Sequence, residues 1–198
     1  MSPLIVFHPS NALTYLSLLS AVGAMAGALR GSAATAGALI AIAVIADTFD
    51  GMFARLFART VQQRAIGTQL DSLSDAIAFG AAPCVCLAAL AQRDAASIGI
   101  AWWFAFGAFS TCAITRLAFY NVSHEANEGF VGLPVPVAAL IWSSLLLLDP
   151  GLGISAGVLV ATAAAMVLPV PIPRPHGAGL VVFAAWPALV IVGHAVRL

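Results

Sequence analysis

Residues 33–57 read AATAGALIAIAVIADTFDGMFARLF, and this stretch decides the fold class. No charged residue lies between residues 33 and 46, and two aspartates follow near the end of the run. Apolar runs of this kind recur along the 198-residue chain, which is 62% hydrophobic and only 8% charged. A soluble domain carries roughly 25% charged residues. The sequence therefore predicts an all-α, polytopic bundle of transmembrane helices.

We predict seven spans, and six or eight stay open because the fifth is short for a bilayer. The predicted spans cover residues 12–29, 33–57, 68–91, 97–120, 134–149, 152–169 and 178–196. No polar linker separates two parts of the chain, so residues 1–198 are expected to form a single integral membrane domain. We expect Ser10 or Asn11 to cap the first helix, and Trp102 and Trp103 to be interfacial anchors.

Arginine placement predicts the orientation, because cytoplasmic loops carry an excess of basic residues. The chain has no lysine, and its net charge is zero, so no nucleic-acid partner is indicated. In the seven-span topology one side receives Arg55, Arg59, Arg64, Arg116 and Arg174. The other side receives Arg30, Arg93 and Arg197. We therefore expect the first side, with the N-terminus, to be cytoplasmic.

Half of the eight acidic residues crowd into one short part of the chain, namely Asp47, Asp50, Asp71 and Asp75. Their i, i+3 and i, i+4 spacings place each pair on one helix face, and consecutive antiparallel helices can bring the two faces together. Ionised carboxylates at membrane depth are costly unless they are paired or bind a cation. Carboxylate oxygens suit Mg²⁺ or Mn²⁺. The alternative is structural ion pairing with three nearby arginines, Arg55, Arg59 and Arg64.

Small residues flank these carboxylates. Gly51 and Ala54 continue the face of the first pair, and Gly67 lies one turn before Asp71. Such residues leave room for a ligand or let two helices approach closely. Arg55 lies beside the same face, where its guanidinium could contact phosphate oxygens.

Residues 47–55, DTFDGMFAR, and residues 67–75, GTQLDSLSD, resemble the signature of the CDP-alcohol phosphotransferase family. That signature is D-x-x-D-G-x-x-A-R, a spacer, and G-x-x-x-D-x-x-x-D, and all eight defined residues are present. The spacer between Arg55 and Gly67 is longer than the family's usual eight or so residues, by about one helical turn. This difference leaves the geometry of the intervening loop open.

The resemblance implies a role for each signature residue. Asp47, Asp50 and Asp71 would be metal ligands, with Asp75 close to the metal as a further ligand and as the general base. The CDP group would be bound by Asp47, Gly51, Ala54, Arg55, Gly67 and Asp71. An acceptor hydroxyl would attack the phosphorus bonded to the lipid, and CMP would leave. The implied cofactor is a divalent cation, Mg²⁺ or Mn²⁺, at an active site on the cytoplasmic side of the cell membrane.

Three further stretches resemble the phosphatidylserine synthase branch: residues 70–83, 112–121 and 130–136. The resemblance implies CDP-diacylglycerol as the donor and L-serine as the acceptor, giving phosphatidylserine. Arg116, Asn121 and Arg174 are candidates to contact the acceptor or the lipid phosphate. That Arg116 is only a membrane-side anchor is an equal alternative.

Other readings stay open at this point. The acceptor could be glycerol 3-phosphate or an inositol phosphate, although a phosphorylated acceptor needs more basic residues. From another class, a cation transporter would also use intramembrane carboxylates. A homodimer is a further alternative. The cysteines, Cys84, Cys86 and Cys112, are expected to be packing residues, and no catalytic role is expected for the histidines, His8, His124, His176 and His194.

Overall fold

The computed structural model describes residues 7–93, 99–123, 130–172 and 178–198. Its helices are α1 (Ala12–Leu29), α2 (Ala33–Ala54), α3 (Val61–Asp75), α4 (Ala82–Arg93), α5 (Ile100–Ser123), α6 (Val135–Leu146), α7 (Leu152–Val167) and α8 (Ala178–Ala195). A 3₁₀ turn, Pro9–Asn11, precedes α1, and a π-helical segment, Ala76–Ala81, joins α3 to α4. With α3, the π-helical segment and α4 counted as one rod, the helices match the seven predicted spans.

Four of these rods are long and apolar enough to cross a membrane: Pro9–Leu29, Ala33–Ala54, Val61–Gln92 and Ile100–Val122. Shorter apolar helices follow at Val135–Leu146, Gly153–Val167 and Phe183–Ala195. The predicted all-helical membrane bundle is therefore confirmed. The short fifth span is confirmed as well, because α6 has only 12 residues.

The third rod begins at Val61, well before the predicted start at residue 68. Thr60 forms a capping box with Gln63, in which the Gln63 amide donates to the Thr60 hydroxyl at 3.2 Å. In return, the Thr60 amide donates to the Gln63 side chain at 2.9 Å. The long spacer thus forms a short loop followed by a polar first part of α3. The capping box satisfies free amide groups at the start of this helix without help from a neighbouring helix.

Helices α1 and α2 form a closely packed hairpin. A Cβ at Gly27 would lie 2.7 Å from the Thr35 methyl group, so glycine is needed for this approach. Ala24 and Ala28 are fully buried along the same face. Small residues therefore pack helices here, as expected for association within a bilayer.

Helix α2 also packs against α6 and α8 at the end that lies away from its aspartates. Ser143 donates a hydrogen bond to the Gly37 carbonyl at 2.8 Å. The imidazole of His194 is 1% exposed and fills the space where a side chain at position 37 would lie. His194 is thus a packing residue, and His8 binds the Ser10 hydroxyl at 2.9 Å.

A two-stranded antiparallel ribbon joins the loops that follow α5 and α7. Strand β1 (Phe130–Val131) pairs with β2 (Pro171–Ile172). Gly132 follows with φ 72°, and its amide donates to the Val170 carbonyl at 2.9 Å. The ribbon holds these two loops together at the membrane face where α5 ends.

The remaining expectations concern the cap of α1, the two tryptophans, the cysteines and two histidines. Asn11 is the N-cap residue of α1, but its side chain does not cap the helix and instead accepts a hydrogen bond from Ser10 at 3.2 Å. Trp103 is exposed, whereas Trp102 packs in the core against Phe106. The cysteines are free, with Cys84 and Cys86 buried and Cys112 partly buried. His124 and His176 lie outside the described residues.

Candidate active site

The four signature aspartates converge between α2 and α3. Asp47, Asp71 and Asp75 each offer a carboxylate oxygen, and these oxygens all lie within 4.8 Å of one another. The Asp47 carboxylate contacts that of Asp75, and the Asp50 carboxylate contacts that of Asp71. The structure thus brings together the two helix faces that the spacing predicts.

The chemistry of this donor set fits a divalent cation. Asp75 is only 9% exposed, and the other three carboxylates are partly buried. Within the described residues, none of the four forms an ion pair with Arg55, Arg59 or Arg64, the partners in the alternative of structural ion pairing. Like charges held this close repel one another strongly at low dielectric. Oxygen ligands that converge from two helices can hold Mg²⁺ or Mn²⁺ and so remove that repulsion.

Helix α1 supplies polar bonds that hold the carboxylate-bearing helices in place. The Thr14 hydroxyl donates to Asp50 Oδ2 at 3.1 Å. The Ser74 hydroxyl, next to Asp75 in sequence, donates to the Thr14 carbonyl at 3.2 Å. Thr14 is not among the predicted site residues, although Ser10, Thr14 and Ser17 recur at helical spacing in an otherwise apolar segment.

A cavity of about 180 Å³ opens beside the carboxylates. Its lining consists of Ser10, Asn11, Thr14, Asp50, Gly51, Ala54, Arg59, Gly67, Thr68 and Asp71. A Cβ built on Gly51 would meet no atom within 4 Å, so this glycine borders open space. Four residues of the predicted CDP site line the cavity, namely Gly51, Ala54, Gly67 and Asp71. Polar residues at and before the start of α1 form a wall of the cavity that the signature does not include.

The two remaining members of the predicted CDP site lie outside this lining. Asp47 belongs to the carboxylate cluster itself. Arg55 is exposed, and its Nε donates to the Gly51 carbonyl at 3.1 Å. The arginine that borders the cavity is Arg59, which comes from the loop between α2 and α3.

The candidate acceptor residues occupy different places. Arg116 is 7% exposed, lies close to Asp75 and stacks its guanidinium 5.8 Å from the centre of the Tyr120 ring. Asn121 is exposed and donates to the Ser72 hydroxyl at 2.8 Å, which ties α5 to α3. Arg174 lies outside the described residues. Of the two candidates that the structure describes, Arg116 lies inside the bundle next to the carboxylates, whereas Asn121 lies at the surface.

The backbone changes pitch directly after Asp75. The π-helical segment Ala76–Ala81 leaves its Gly80 carbonyl to accept a hydrogen bond from the Ser110 hydroxyl of α5 at 2.9 Å. A Cβ on Gly80 would lie 3.4 Å from the Ala113 methyl group, so α5 passes close by. Such single π-helical turns are frequent at functional sites, and this one places α5 and Arg116 against the end of α3.

An apolar groove of about 310 Å³ lies between α1 and α2. Its lining consists of Leu13, Leu16, Ile42, Ile45, Ala46 and Phe49. Leu13 precedes Thr14, and Phe49 precedes Asp50, so the groove and the polar cavity lie at the same level along α1 and α2.

Comparison with known proteins decides the family. A family model described as CDP-alcohol phosphatidyltransferase matches residues 7–172. The chain belongs to the CDP-alcohol phosphatidyltransferase family. In this family member, the matched region contains all four aspartates, the whole cavity lining and the apolar groove. Together with the four span-length helices, the match identifies an integral membrane protein.

Several relatives carry names that specify a reaction. The chain is similar to the CDP-diacylglycerol–serine O-phosphatidyltransferase of Mycobacterium tuberculosis, with 34% identity over 150 residues, which is 72% of this chain and 50% of the mycobacterial protein. It is 36% identical over 133 residues to the archaetidylserine synthase of Methanothermobacter thermautotrophicus, covering 67% of this chain and 52% of that protein. The chain thus spans about half the length of the curated relatives it matches.

Proposed function

We propose that this chain transfers the phosphatidyl group of CDP-diacylglycerol to the hydroxyl of L-serine, giving phosphatidylserine and CMP. The observation that carries the proposal is the convergence of four signature aspartates beside a polar cavity. Family membership supports the reaction type, and the names of the mycobacterial and archaeal relatives support serine as the acceptor.

Asp47, Asp71 and Asp75 would hold a divalent cation, with Asp50 beside them. Mg²⁺ and Mn²⁺ are the cations that carboxylate donors in this number suit best. When bound, such a cation neutralises negative charge on the diphosphate and on the departing CMP.

Asp75 is proposed as the general base. Its side chain is 9% exposed, belongs to the carboxylate cluster and lies close to Arg116. A carboxylate at this position can accept the proton of the serine hydroxyl as the oxygen attacks the phosphorus bonded to the lipid. The new P–O bond forms to serine, the bond to the CMP phosphate oxygen breaks, and CMP departs with the electron pair.

The cavity is proposed to bind the nucleotide part of the donor. Gly51, Ala54 and Gly67 leave space against the backbones of α2 and α3. Hydroxyl and amide groups from the start of α1, on Ser10, Asn11 and Thr14, border the same space. Polar groups that converge on a small cavity fix the orientation of a ligand.

The apolar groove is proposed to receive an acyl chain of the donor. Leu13 and Phe49 lie next in sequence to Thr14 and Asp50 of the cavity, so the groove is at the same level along α1 and α2 as the proposed headgroup site. The groove is open on the outer surface of the bundle, where Leu16 is 46% exposed. An acyl chain could therefore enter sideways from the bilayer.

Arg116 is proposed to hold the carboxylate of serine. A serine carboxylate brought near four aspartates is repelled unless a cation offsets the charge. Arg116 lies close to Asp75 and is almost completely buried, where a charge-assisted bond is strong. Arg174 and Asn121 stay as further candidates. The excess of arginines at this face supports a cytoplasmic position for the site.

The test is CMP release from CDP-diacylglycerol by the purified protein, with Mg²⁺ or Mn²⁺ and a panel of acceptors. We expect release with L-serine and a product of phosphatidylserine. Release with glycerol 3-phosphate or an inositol phosphate instead of serine would leave the family reaction intact and overturn the acceptor. No release with any acceptor would overturn the reaction and favour a role such as cation transport.

A further inference from the structure

The loop between α2 and α3 carries a cation that the signature does not include. Arg59 borders the polar cavity together with Asp50, Gly51, Gly67 and Asp71. Arg55, the arginine of the signature, is turned outward and donates to the Gly51 carbonyl. Arg59 therefore supplies a positive charge beside the cavity. It lies outside the signature, and the sequence alone offered it only as an alternative ion-pair partner of the aspartates.

We infer that Arg59 binds the phosphate of the nucleotide, the group that leaves as CMP. This inference rests on the proposed function, since it names a contact to the proposed donor. Arginine presents its donors as a planar fork that matches phosphate oxygens. A phosphate that lies over four aspartates needs such a cation on the side that faces away from the carboxylates.

The guanidinium of Arg59 lies close to Gly67, the first defined residue of the second signature segment. A Cβ built on Gly67 would lie 3.7 Å from Arg59 Nη1 and 3.3 Å from Asn11 Oδ1. The Arg59 side chain therefore extends from the loop along the first half of α3, on the side of α3 that faces Asn11.

Arg59 is partly buried, and no described residue accepts a hydrogen bond from its guanidinium. Within residues 7–93, 99–123, 130–172 and 178–198, it forms neither a hydrogen bond nor an ion pair. A partly buried guanidinium without an acceptor has lost some hydrogen bonds to water. An anion that binds to it replaces them with charge-assisted hydrogen bonds. An anionic ligand in the cavity would supply the missing acceptors.

The loop presents Arg59 from a defined backbone. Its carbonyl accepts a hydrogen bond from Arg64 Nη2 at 3.3 Å, and the next residue, Thr60, forms the capping box that begins α3. The residue is thus held between the end of one helix and the start of another. Pre-organisation of this kind lowers the entropic cost of binding a ligand.

The test is the Kd of radiolabelled CMP for the full chain in detergent with Mn²⁺, measured by equilibrium dialysis. Arg59→Ala should raise this Kd by about tenfold or more, because a charge-assisted fork is lost. Arg59→Lys should recover part of the affinity. Arg30→Ala is the control, because it removes the same charge from the far end of α1, where Arg30 is exposed and outside the cavity lining. Its Kd should stay within about twofold of wild type.

Competition by cytidine, which lacks the phosphate, separates a phosphate contact from a structural role. Its affinity should be the same in wild type and in Arg59→Ala. Unchanged CMP affinity in Arg59→Ala, or an equal loss of CMP and cytidine affinity, would overturn the inference. If Arg59→Ala fails to fold, a wild-type CMP Kd in Arg59→Lys overturns it instead. Wild-type protein that neither binds CMP nor releases it would contradict the proposed function itself.

Discussion

At the scale of single residues, the aspartates occupy two kinds of position. Asp71 lies against Asp50 and lines the polar cavity, whereas Asp75 is the more buried and lies beside Arg116. The signature spacing predicts that these side chains converge, and the structure confirms it. The spacing contains no information on Thr14, whose hydroxyl binds Asp50 from a different helix. That contact depends on how α1 packs, which only the fold determines.

Asn substitutions should separate these roles. Asp71→Asn removes a ligand charge, so it should weaken cation and CMP binding together, by about tenfold or more. Asp75→Asn should leave CMP affinity largely intact while lowering turnover by about 10²-fold or more, because a general base is lost. CMP binding and CMP release are measured on the same preparations. Normal turnover by Asp75→Asn would show that another group takes the proton.

Arg116 should control the affinity for the acceptor. Arg116→Ala should raise the KM for serine by about tenfold, because a charge-assisted bond contributes on the order of 1.5–3 kcal/mol. Arg116→Lys keeps the charge without the fork and should be intermediate. Initial rates are measured against serine and against CDP-diacylglycerol, whose KM should change less. An unchanged KM for serine in both variants would leave the acceptor in place and refute its proposed contact.

At the scale of elements, α3 shows why boundaries were harder to predict than spans. Its first part is polar, so hydropathy places the start of the third rod at residue 68 instead of Val61. The pattern Thr60-x-x-Gln63 was the available signal, since it is a capping box. The π-helical segment Ala76–Ala81 had no such signal, because its residues are as small and apolar as those of an α-helix. Its pitch depends on packing against α5.

The apolar groove between α1 and α2 gives a prediction about the donor's acyl chain. Leu16→Trp places a larger ring in the groove and should raise the KM for long-chain CDP-diacylglycerol about three- to tenfold by displacing chain contacts. A short-chain CDP-lipid should be affected less. Leu19→Trp is the matched control, since Leu19 is 66% exposed on the same helix outside the groove. Equal effects of the two substitutions would exclude the groove as the chain's site.

The packing of α2 against α8 depends on the absence of a side chain at position 37. Gly37→Ala would overlap the His194 imidazole and should lower the free energy of unfolding by about 1–3 kcal/mol. Gly107→Ala is the control, because a Cβ there meets no atom within 4 Å. That variant should be unchanged or slightly more stable. Thermal unfolding in detergent gives both values, and a wild-type Tm for Gly37→Ala would refute the packing.

At the scale of the whole molecule, the bundle places three kinds of environment side by side. The carboxylate cluster lies between α2 and α3, the polar cavity is closed by α1, and the apolar groove opens toward the bilayer. Composition predicted the membrane bundle, because so few charges cannot cover a water-facing surface. It could not predict that α1 contributes to the site, since polar residues in one helix do not reveal which neighbour they face.

The most direct test follows the phosphorus atom itself. CDP-diacylglycerol labelled at the phosphorus bonded to the lipid is incubated with the purified protein, L-serine and Mn²⁺, and the organic and aqueous phases are separated. The account predicts that the label appears in phosphatidylserine, that CMP is released unlabelled, and that excess chelator abolishes both until Mn²⁺ or Mg²⁺ is restored. Label in the released nucleotide, or full transfer in excess chelator, would contradict it.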